Sequence, residues 1–328
     1  MNIIYMGTPG FAVPALKRLA GSRHQVSAVV CQPDRPVGRG QKMHMPAVKE
    51  EALAHNLIVL QPEKIKNCAF DQVLKTYNPD IIVVVAYGKI IPPEILKLPK
   101  YGCLNIHASL LPKYRGAAPI QWAIIRGETK TGVTIMQLDE GLDTGPIIAT
   151  EEIEILTDDD TLSVSNMLSV LGAELLMKVL DAIETTGEVI AEPQDDSRST
   201  LAPLLQKKDG LLDWTESTES LICRIHGLHP WPGAFSFLSG KPWKFLKAEP
   251  FDDSTKLNFR TADKMERGAV TGLIKGLGFT VRTGSGHLLV TSFQAPGKKA
   301  MDGADAVNGN LVKVGDLFIS DPAFLEGE

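Results

Sequence analysis

The chain lacks paired-cysteine motifs and long apolar runs, and these absences exclude several classes of protein. No stretch is apolar enough to span a bilayer, and no positively charged segment precedes an apolar run near Met1, so we expect a cytoplasmic protein without membrane contact. The cysteines form no Cys-x-x-Cys pair and have no histidine at metal-ligand spacing, so we expect free thiols in a reducing compartment and no metal site. The four cysteines are Cys31, Cys68, Cys103 and Cys223.

The chain also lacks an excess of positive charge. Its formal net charge is −5, which gives no general attraction for nucleic acid, so any contact with a polyanion requires a local concentration of lysine and arginine. A hydrophobic content of 44% and a charged content of 22% are typical of a soluble globular protein. A length of 328 residues exceeds the usual size of one hydrophobic core and predicts two domains.

The most informative stretch begins at Leu104. Apolar and polar residues alternate from there through Ser109, a period of two that is typical of a strand with one apolar face. Asn105 and His107 therefore point to the same face. Because Pro112 ends the strand, both side chains lie near its carboxyl end, where open α/β sheets bind their ligands.

A later loop carries Asp143 between Gly141 and Gly145. Asn105, His107 and Asp143 together suit acyl transfer to an amine, because an amide and a protonated imidazole both donate hydrogen bonds to the oxyanion that forms. Asp143 would orient His107 and favour its charged form. The alternative is structural, since a histidine at a sheet edge and an aspartate beside a glycine usually serve the fold.

No nucleophile for a covalent intermediate is evident. The sequence has no Gly-x-Ser-x-Gly elbow, and no cysteine lies in a recognised nucleophile signature. We therefore expect direct transfer to the amine.

At these residues the chain resembles the folate-dependent formyltransferases. The resemblance rests on Asn105, His107, the run Ser109-Leu110-Leu111-Pro112 and the Asp143 loop, and it extends over nearly the whole chain. It implies that Asn105, His107 and Asp143 are catalytic, and that Ser109, Leu110, Leu111 and Pro112 contact the folate. Further matching stretches are Met6 to Pro9, Gln32 to Pro36, Ser109 to Ile120, Lys207 to Trp214 and Pro230 to Ala234.

The resemblance also implies an architecture. We expect an α/β protein with a Rossmann-like, doubly wound, mostly parallel sheet, followed by a small OB-like β-barrel. The polar, irregular composition after residue 190 indicates a linker, and the short strands beyond it have the glycine turns of a small barrel. The expected division is a catalytic domain at 1–189, a linker at 190–208, a tRNA-binding barrel at 209–315 and a peripheral tail at 316–328.

Within the family, the motifs are most similar to the branch that acts on aminoacylated tRNA. This similarity implies transfer of the formyl group of 10-formyltetrahydrofolate to the α-amino group of methionine on initiator tRNA. It implies no metal, and we expect a monomer. The segment from Gly88 to Pro92 would help form the pterin pocket, largely through backbone groups.

A basic segment from Pro33 to Lys49 has no helix or strand period and reads as a loop. On composition alone, a solvated loop is the simpler interpretation. The family engages the tRNA acceptor end with this loop, which implies contacts from Arg35, Arg39 and Lys42. Lys207 and Lys208 at the end of the linker are further candidates, and five barrel lysines could form a surface stripe: Lys241, Lys244, Lys247, Lys298 and Lys299.

Two alternatives remain open at this point. A formyltransferase that acts on a small amine, such as glycinamide ribonucleotide or an amino sugar, would use the same three residues. A nicotinamide-dependent dehydrogenase would use the turn at Gly7-x-x-Gly10, which lacks the third glycine of the dinucleotide fingerprint. Asp34 is a poor candidate for the acidic residue that such an enzyme places after its second strand.

Overall fold

A computed structural model of the chain describes residues 1–37, 42–66 and 69–321. The chain forms two compact units. Unit 1 comprises Met1–Pro119, Lys130–Glu154 and Val164–Pro203, and unit 2 comprises Ile120–Thr129, Ile155–Ser163 and the chain from Leu204 onward. The units therefore divide inside the predicted linker. In the described part of the chain, every helix is too short or too polar to cross a membrane.

Unit 1 is built on a seven-stranded sheet and a separate hairpin. Its strands are β1 (Asn2–Gly7), β2 (Gln25–Val30), β3 (Arg35–Val37), β4 (Lys42–His44), β5 (Val59–Leu60), β6 (Ile81–Val85), β7 (Cys103–His107), β8 (Lys130–Gln137) and β9 (Ile147–Glu154). Across the large sheet the order is β5-β2-β1-β6-β7-β8-β9. The first five strands are parallel, whereas β8 and β9 are antiparallel. The predicted Rossmann-like, mostly parallel sheet is thus confirmed.

Helices cover both faces of this sheet. The helices of unit 1 are α1 (Val13–Ala20), α2 (Ala47–Ala54), α3 (Phe70–Lys75), α4 (Pro93–Leu96) and, from Val164 onward, α6 (Thr161–Thr186). Helix α5 (Pro119–Ile125) lies in unit 2 except for its first residue. All five residues of β6 are buried, as expected for a central parallel strand. One face of the sheet packs against Phe70 and Leu74 of α3 and Ile95 of α4.

The other face of β7 packs against α6. A Cβ atom added at Gly172 of α6 would lie 2.6 Å from Cγ2 of Ile106, so glycine lets the helix approach the strand closely. Because successive side chains alternate between faces, Asn105 and His107 point away from α6. The period-two pattern of this strand therefore places an apolar face on a helix and a polar face at the site.

The basic segment differs from the irregular loop that we expected. Strands β3 and β4 form an antiparallel hairpin in which Arg35 pairs with His44 and Val37 with Lys42. Such short strands are joined by backbone hydrogen bonds, which require no apolar period, so the sequence pattern does not reveal them. Arg39 lies outside the described residues.

Unit 2 contains an antiparallel sheet. Its elements are α7 (Thr218–Gly227), β10 (Ala234–Leu238), β11 (Lys241–Pro250), α8 (Phe259–Ala262), β12 (Val270–Ile274), β13 (Gly278–Arg282), β14 (His287–Gln294), β15 (Met301–Asp302) and α9 (Gly303–Asn308). The strand order is β10-β11-β14-β13-β12, and β15 pairs with β14. The short strands that we expected beyond the linker are therefore present.

Residues 316–321, which we call the closing segment, pair with both edges of this sheet. We expected residues 316–328 to be peripheral. Ile319 pairs with Phe237 of β10, and Leu317 pairs with Ala269 beside β12. The closing segment therefore joins the two edge strands. Phe318 is only 1% exposed. The sequence did not show this role, because three apolar residues between polar neighbours are too few to reveal a strand period.

Replacing Phe318 should weaken unit 2. Its ring lies within 5.2 to 6.2 Å of four other rings, those of Trp214, Trp243, Phe245 and Phe279. We expect Phe318→Ala to lower the free energy of unfolding of unit 2 by about 3 to 5 kcal/mol, because it leaves a cavity among these rings. Urea unfolding monitored by tryptophan fluorescence measures the loss.

Val314→Ala is the matched control, since this side chain is 56% exposed and lies just before the closing segment. We expect it to change the free energy of unfolding by less than about 0.5 kcal/mol. Equal effects of the two substitutions would contradict a core role for the closing segment.

Candidate active site

His107 lies at the carboxyl end of β7 with only 5% of its surface exposed. Its Nε2 atom is 2.9 Å from the backbone carbonyl oxygen of Tyr114. Because a carbonyl can only accept, Nε2 carries a hydrogen and donates it. Nδ1 lies 3.7 Å from Oδ1 of Asp143, a distance that suits an ion pair but exceeds a hydrogen bond. Nδ1 is therefore the nitrogen available to a substrate.

Asp143 adopts an uncommon backbone conformation. Its φ angle is +52°, in the left-handed region that few residues other than glycine adopt. Its Oδ2 atom accepts a hydrogen bond of 2.8 Å from the backbone N–H of Gly116. One carboxylate oxygen is thus held by the turn after β7, while the other faces His107. Strained backbone of this kind persists only where the surrounding structure fixes it.

Asn105 is half-buried, and no described residue forms a hydrogen bond with its side-chain amide. It therefore offers donors and an acceptor to a ligand. The neighbouring strand β6 leads into a segment where Ile90 is 86% exposed. Because β6 and β7 are parallel, Asn105 and the segment of Ile90 both lie towards the carboxyl-end edge of the sheet.

The run from Ser109 to Pro112 forms a turn after β7. The buried Ser109 hydroxyl donates to the backbone oxygen of Lys113 over 2.7 Å. The hydroxyl of Thr134 donates to the Ser109 carbonyl and accepts from the Leu111 N–H, at 2.7 and 3.1 Å. The Ser109 side chain thus serves the turn itself. Leu110 and Pro112 are half-buried and lie nearer the surface.

The described cysteines are poor nucleophiles. Burial raises the pKa of Cys31 to about 11 and that of Cys103 to about 12. Burial also raises the pKa of Cys223. Since the thiolate is the reactive form, these thiols are inert near neutral pH. Cys68 lies outside the described residues.

Asp34 is engaged within the protein. Hydrogen bonds from Gln61 and then from the Lys49 ammonium lower the pKa of its carboxyl group. The Lys49 contact measures 2.7 Å. Asp34 is therefore not free to bind a ribose, and Lys49 does not add free positive charge to the hairpin. At Gly7 an added Cβ would lie 2.9 Å from Cβ of Ala12, so close contact within the fold explains this glycine without a dinucleotide.

The predicted tRNA-contacting residues are distributed over both units. In unit 1, Arg35 is exposed on β3 and Lys42 begins β4. In unit 2, Lys207 and Lys208 are exposed on a short 3-10 helix, Lys207–Gly210. Arg39 lies outside the described residues.

One group of side chains with metal-ligand chemistry lies close together among the described residues, and it is separate from His107. His24, Asp181 and Glu184 place their ligand atoms within 4.8 Å of one another. The two carboxylates already form ion pairs with Arg23 at 2.7 and 2.8 Å, and Glu184 also pairs with the ammonium group of Met1 at 3.1 Å. These cations already neutralise the cluster, so we assign no metal to it.

Two polar residues near Asp143 were not identified from the sequence. Gln194 donates from Nε2 to the backbone oxygens of Asp143 and Gly145, at 2.9 and 2.7 Å. Arg115 in turn donates to Oε1 of Gln194. Gln194 lies in the predicted linker, where polar residues are expected, so nothing in the sequence distinguished it as a site residue. Arg115 stands beside Gly116 in the stretch from Ser109 to Ile120 that resembles the family. That position was the one indication in the sequence that Arg115 belongs to the site.

The fold and this site define the class of protein. Residues 1–180 match the family described as formyl transferase, and residues 204–311 match the formyl transferase C-terminal domain. The chain therefore belongs to the formyl transferase family.

Three relatives that match this chain over nearly their whole length are all named methionyl-tRNA formyltransferase. The methionyl-tRNA formyltransferase of Alkaliphilus oremlandii is 45% identical over 97% of this chain and 99% of its own. That of Lachnospira eligens is 44% identical over 96% of this chain and 98% of its own. That of a Sulfurihydrogenibium species is 44% identical over 97% of this chain and 100% of its own.

Solved structures of lower identity share the fold. HypX from Aquifex aeolicus, in complex with tetrahydrofolic acid, has a TM-score of 0.61 at 18% identity and covers 97% of this chain and 50% of its own. The sugar 3N-formyl transferase WlaRD, with dTDP and 5-N-formyl-THF, has a TM-score of 0.65 at 17% identity and covers 91% of this chain and 99% of its own. At these identities the likeness concerns the fold alone.

Gly116 is a sensitive position in this site. Its φ angle is +125°, and an added Cβ would lie 2.6 Å from the backbone oxygen of Ala202. We expect Gly116→Ala to lower the free energy of unfolding of unit 1 by about 1 to 3 kcal/mol, because alanine is strained there and meets fixed backbone. Thermal unfolding measures this loss.

Gly10→Ala serves as the control, because an added Cβ there meets no described atom within 4 Å. We expect it to alter the free energy of unfolding by less than about 0.5 kcal/mol. If Gly116→Ala is as mild as Gly10→Ala, the turn tolerates a side chain and does not fix Asp143.

Proposed function

We propose that this chain transfers the formyl group of 10-formyltetrahydrofolate to the α-amino group of methionyl initiator tRNA. The observation that carries the proposal is its similarity, at 44 to 45% identity over nearly the whole of both chains, to methionyl-tRNA formyltransferases. These relatives, which match both units at such identity, are all named for methionyl-tRNA, and this favours tRNA over a small amine as acceptor. Family membership favours formyl transfer over hydride transfer.

Asn105 and His107 have a defined role in the proposed reaction. When the amine attacks the formyl carbon, a C–N bond forms and the carbonyl oxygen becomes negatively charged. When the carbonyl then re-forms, the bond from the formyl carbon to N10 of the folate breaks, and N10 leaves with a proton as tetrahydrofolate. The Asn105 amide has no described partner and can donate to that oxygen. In protonated His107, Nε2 is occupied by the Tyr114 carbonyl, so Nδ1–H would donate to the oxyanion. Donors fixed before the charge develops stabilise such a transition state strongly.

Asp143 supports His107 and helps to remove the proton of the amine. Its Oδ1 atom lies 3.7 Å from Nδ1, close enough to stabilise the imidazolium but too far to occupy its hydrogen. The attacking amine must be neutral, and since a free α-amino group has a pKa of about 7.7 to 8.0, a substantial neutral fraction exists near neutral pH. Its proton would leave through water to Asp143. This route requires no metal.

Binding of tRNA is proposed to depend on local positive charge in both units. On β11, Lys241, Lys244 and Lys247 are exposed, and none forms an ion pair with a described residue. The exposed loop beside them carries Trp231, 56% exposed, followed by Gly233, whose added Cβ would lie 4.0 Å from Nζ of Lys244. Lysines that contact phosphates and an aromatic ring that stacks on a base are common features of nucleic-acid surfaces.

We propose unit 1 as the catalytic part and unit 2, with its closing segment, as the tRNA-binding part of a cytoplasmic monomer, in place of the expected bounds of 1–189 and 209–315. Within the first, Ser109 to Pro112 would line the folate site mainly through backbone groups and the side chains of Leu110 and Pro112.

His107→Ala and Asp143→Asn should each lower the kcat for methionyl-tRNA formylation by roughly two orders of magnitude or more. The first removes the proposed oxyanion donor, and the second removes the charge that supports it. Steady-state formylation of charged initiator tRNA measures the effect, and circular dichroism checks that the fold survives.

His55→Ala is the control, since His55 is exposed and pairs only with Glu51, one helical turn away. We expect its kcat to equal that of the unmodified enzyme. A near-normal kcat in folded His107→Ala or Asp143→Asn enzyme refutes the mechanism.

Arg39 is proposed to act in tRNA selection. It stands between Gly38 and Gly40 in the sequence, and the strands described on either side of this stretch carry Arg35 and Lys42. We expect Arg39→Ala to reduce formylation of methionyl initiator tRNA far more than it affects folate binding, and to narrow the preference over elongator tRNA. The ratio of kcat/KM for the two tRNAs measures this preference.

Lys298→Ala tests the alternative of a purely electrostatic contact. Loss of a lysine that only neutralises a phosphate should weaken the binding of both tRNAs alike. It should also reduce the slope of log binding constant against log salt concentration by about one. If Arg39→Ala leaves the ratio of kcat/KM unchanged, Arg39 has no role in selection.

A further inference from the structure

Gln194 lies in the predicted linker, yet its side chain is directed towards the candidate active site. Both described contacts of Nε2 are backbone oxygens of the Asp143 loop, those of Asp143 at 2.9 Å and Gly145 at 2.7 Å. Its Oε1 atom accepts from Nε and Nη2 of Arg115, at 3.0 and 2.7 Å. The amide group therefore connects the Asp143 loop to Arg115, with a separation of 79 residues in the chain between Gln194 and Arg115.

Arg115 is a fixed anchor for this amide. It is only 6% exposed, and its Nη2 atom also contacts Oδ1 of Asp196 at 2.7 Å. Its backbone N–H donates to Thr200 and its carbonyl accepts from Ala202, at 2.9 and 2.8 Å. A buried guanidinium stays charged and loses stability when it loses its acceptors, so this arrangement holds Gln194 in one position. We call the side chains of Arg115, Gln194 and Asp196 the polar clamp.

The polar clamp acts on a residue that needs support. Asp143 has a φ angle of +52°, and in this conformation of the loop its Oδ1 atom lies 3.7 Å from Nδ1 of His107. The Gly116 N–H holds Oδ2, and Gln194 holds the backbone oxygen of the same residue. Side chain and backbone of Asp143 are thus fixed by two different parts of the chain. Without Gln194, the loop can relax to a less strained backbone and move Oδ1 away from His107.

We propose that Gln194 is a positioning residue that orients Asp143 towards His107, and that Arg115 holds Gln194 for this purpose. The inference rests on the proposed function, because it assigns Gln194 a role through the catalytic carboxylate. Gln194 itself has no contact with His107 among the described residues. Its loss should therefore impair turnover without weakening the binding of either substrate.

Gln194→Met is the primary test, because methionine has nearly the same length and removes both the donors and the acceptor. We expect kcat to fall roughly 10- to 100-fold, the effect typical of a catalytic group displaced by about 1 Å. The KM values for 10-formyltetrahydrofolate and methionyl-tRNA should change less than about threefold. Gln72→Met is the matched control on the exposed surface of α3, and we expect it to leave both constants unchanged.

A double-mutant cycle with Asp143→Asn separates positioning from a general structural effect. If Gln194 acts through the Asp143 carboxylate, its replacement should cost much less once that carboxylate is gone. We expect Gln194→Met to lower kcat by less than about threefold in the Asp143→Asn background. If the two substitutions acted independently, their fold reductions of kcat would instead multiply.

Gln194→Glu keeps the shape of the side chain and an acceptor for Arg115 but removes both donors to the Asp143 loop. We expect it to lower kcat at least as much as Gln194→Met while the melting temperature stays within about 3 °C of the unmodified enzyme. This variant keeps the inference testable if Gln194→Met does not fold. Loss of the folded state in both variants would assign Gln194 to stability and overturn the inference.

The remaining outcomes separate this inference from the proposed function. If the unmodified enzyme formylates methionyl-tRNA but both Gln194 variants keep full kcat, or the cycle shows multiplying effects, the positioning role is refuted and the proposed function stands. If the unmodified enzyme does not formylate methionyl-tRNA, the proposed function falls, and this assignment falls with it.

Discussion

Burial of the Arg115 guanidinium is the constraint on which the arrangement of the candidate site depends. Arginine cannot lose its charge, so a side chain that is 6% exposed must find acceptors inside the protein. Gln194 and Asp196 supply them, and both come from a segment that follows the catalytic sheet. This segment is therefore part of unit 1 through Pro203 and not a free connection.

The same contacts involve two residues with positive φ angles. Position 116 requires glycine, because φ is +125° and the backbone of Ala202 lies where a side chain would be. Its N–H can then donate to Asp143, which is itself left-handed. The left-handed conformation of Asp143 costs free energy alone, and it is maintained by the hydrogen bond from Gln194 in the segment after the sheet. The geometry between Asp143 and His107 thus depends on residues about 50 positions further along the chain.

The sequence predicted those features that have a local period. Strand β6, apolar throughout, and the alternation through β7 identified the central sheet and the polar face of Asn105 and His107. The partners of Asp143 could not be predicted in this way, because Arg115 and Gln194 meet across 79 residues and no local pattern records that contact. The closing segment around Phe318 and the hairpin at Arg35 were missed for a related reason, since both are too short to show a period.

The distribution of charge matters more here than its sum. A net charge of −5 predicts repulsion from a polyanion, but many carboxylates are already neutralised within the fold. Asp34 is held by Lys49, and Asp181 and Glu184 by Arg23. The exposed lysines of β11, by contrast, have no described carboxylate as partner. Because a polyanion responds to the local potential within about a Debye length, roughly 8 Å at physiological salt, such a surface can attract it although the protein as a whole is acidic.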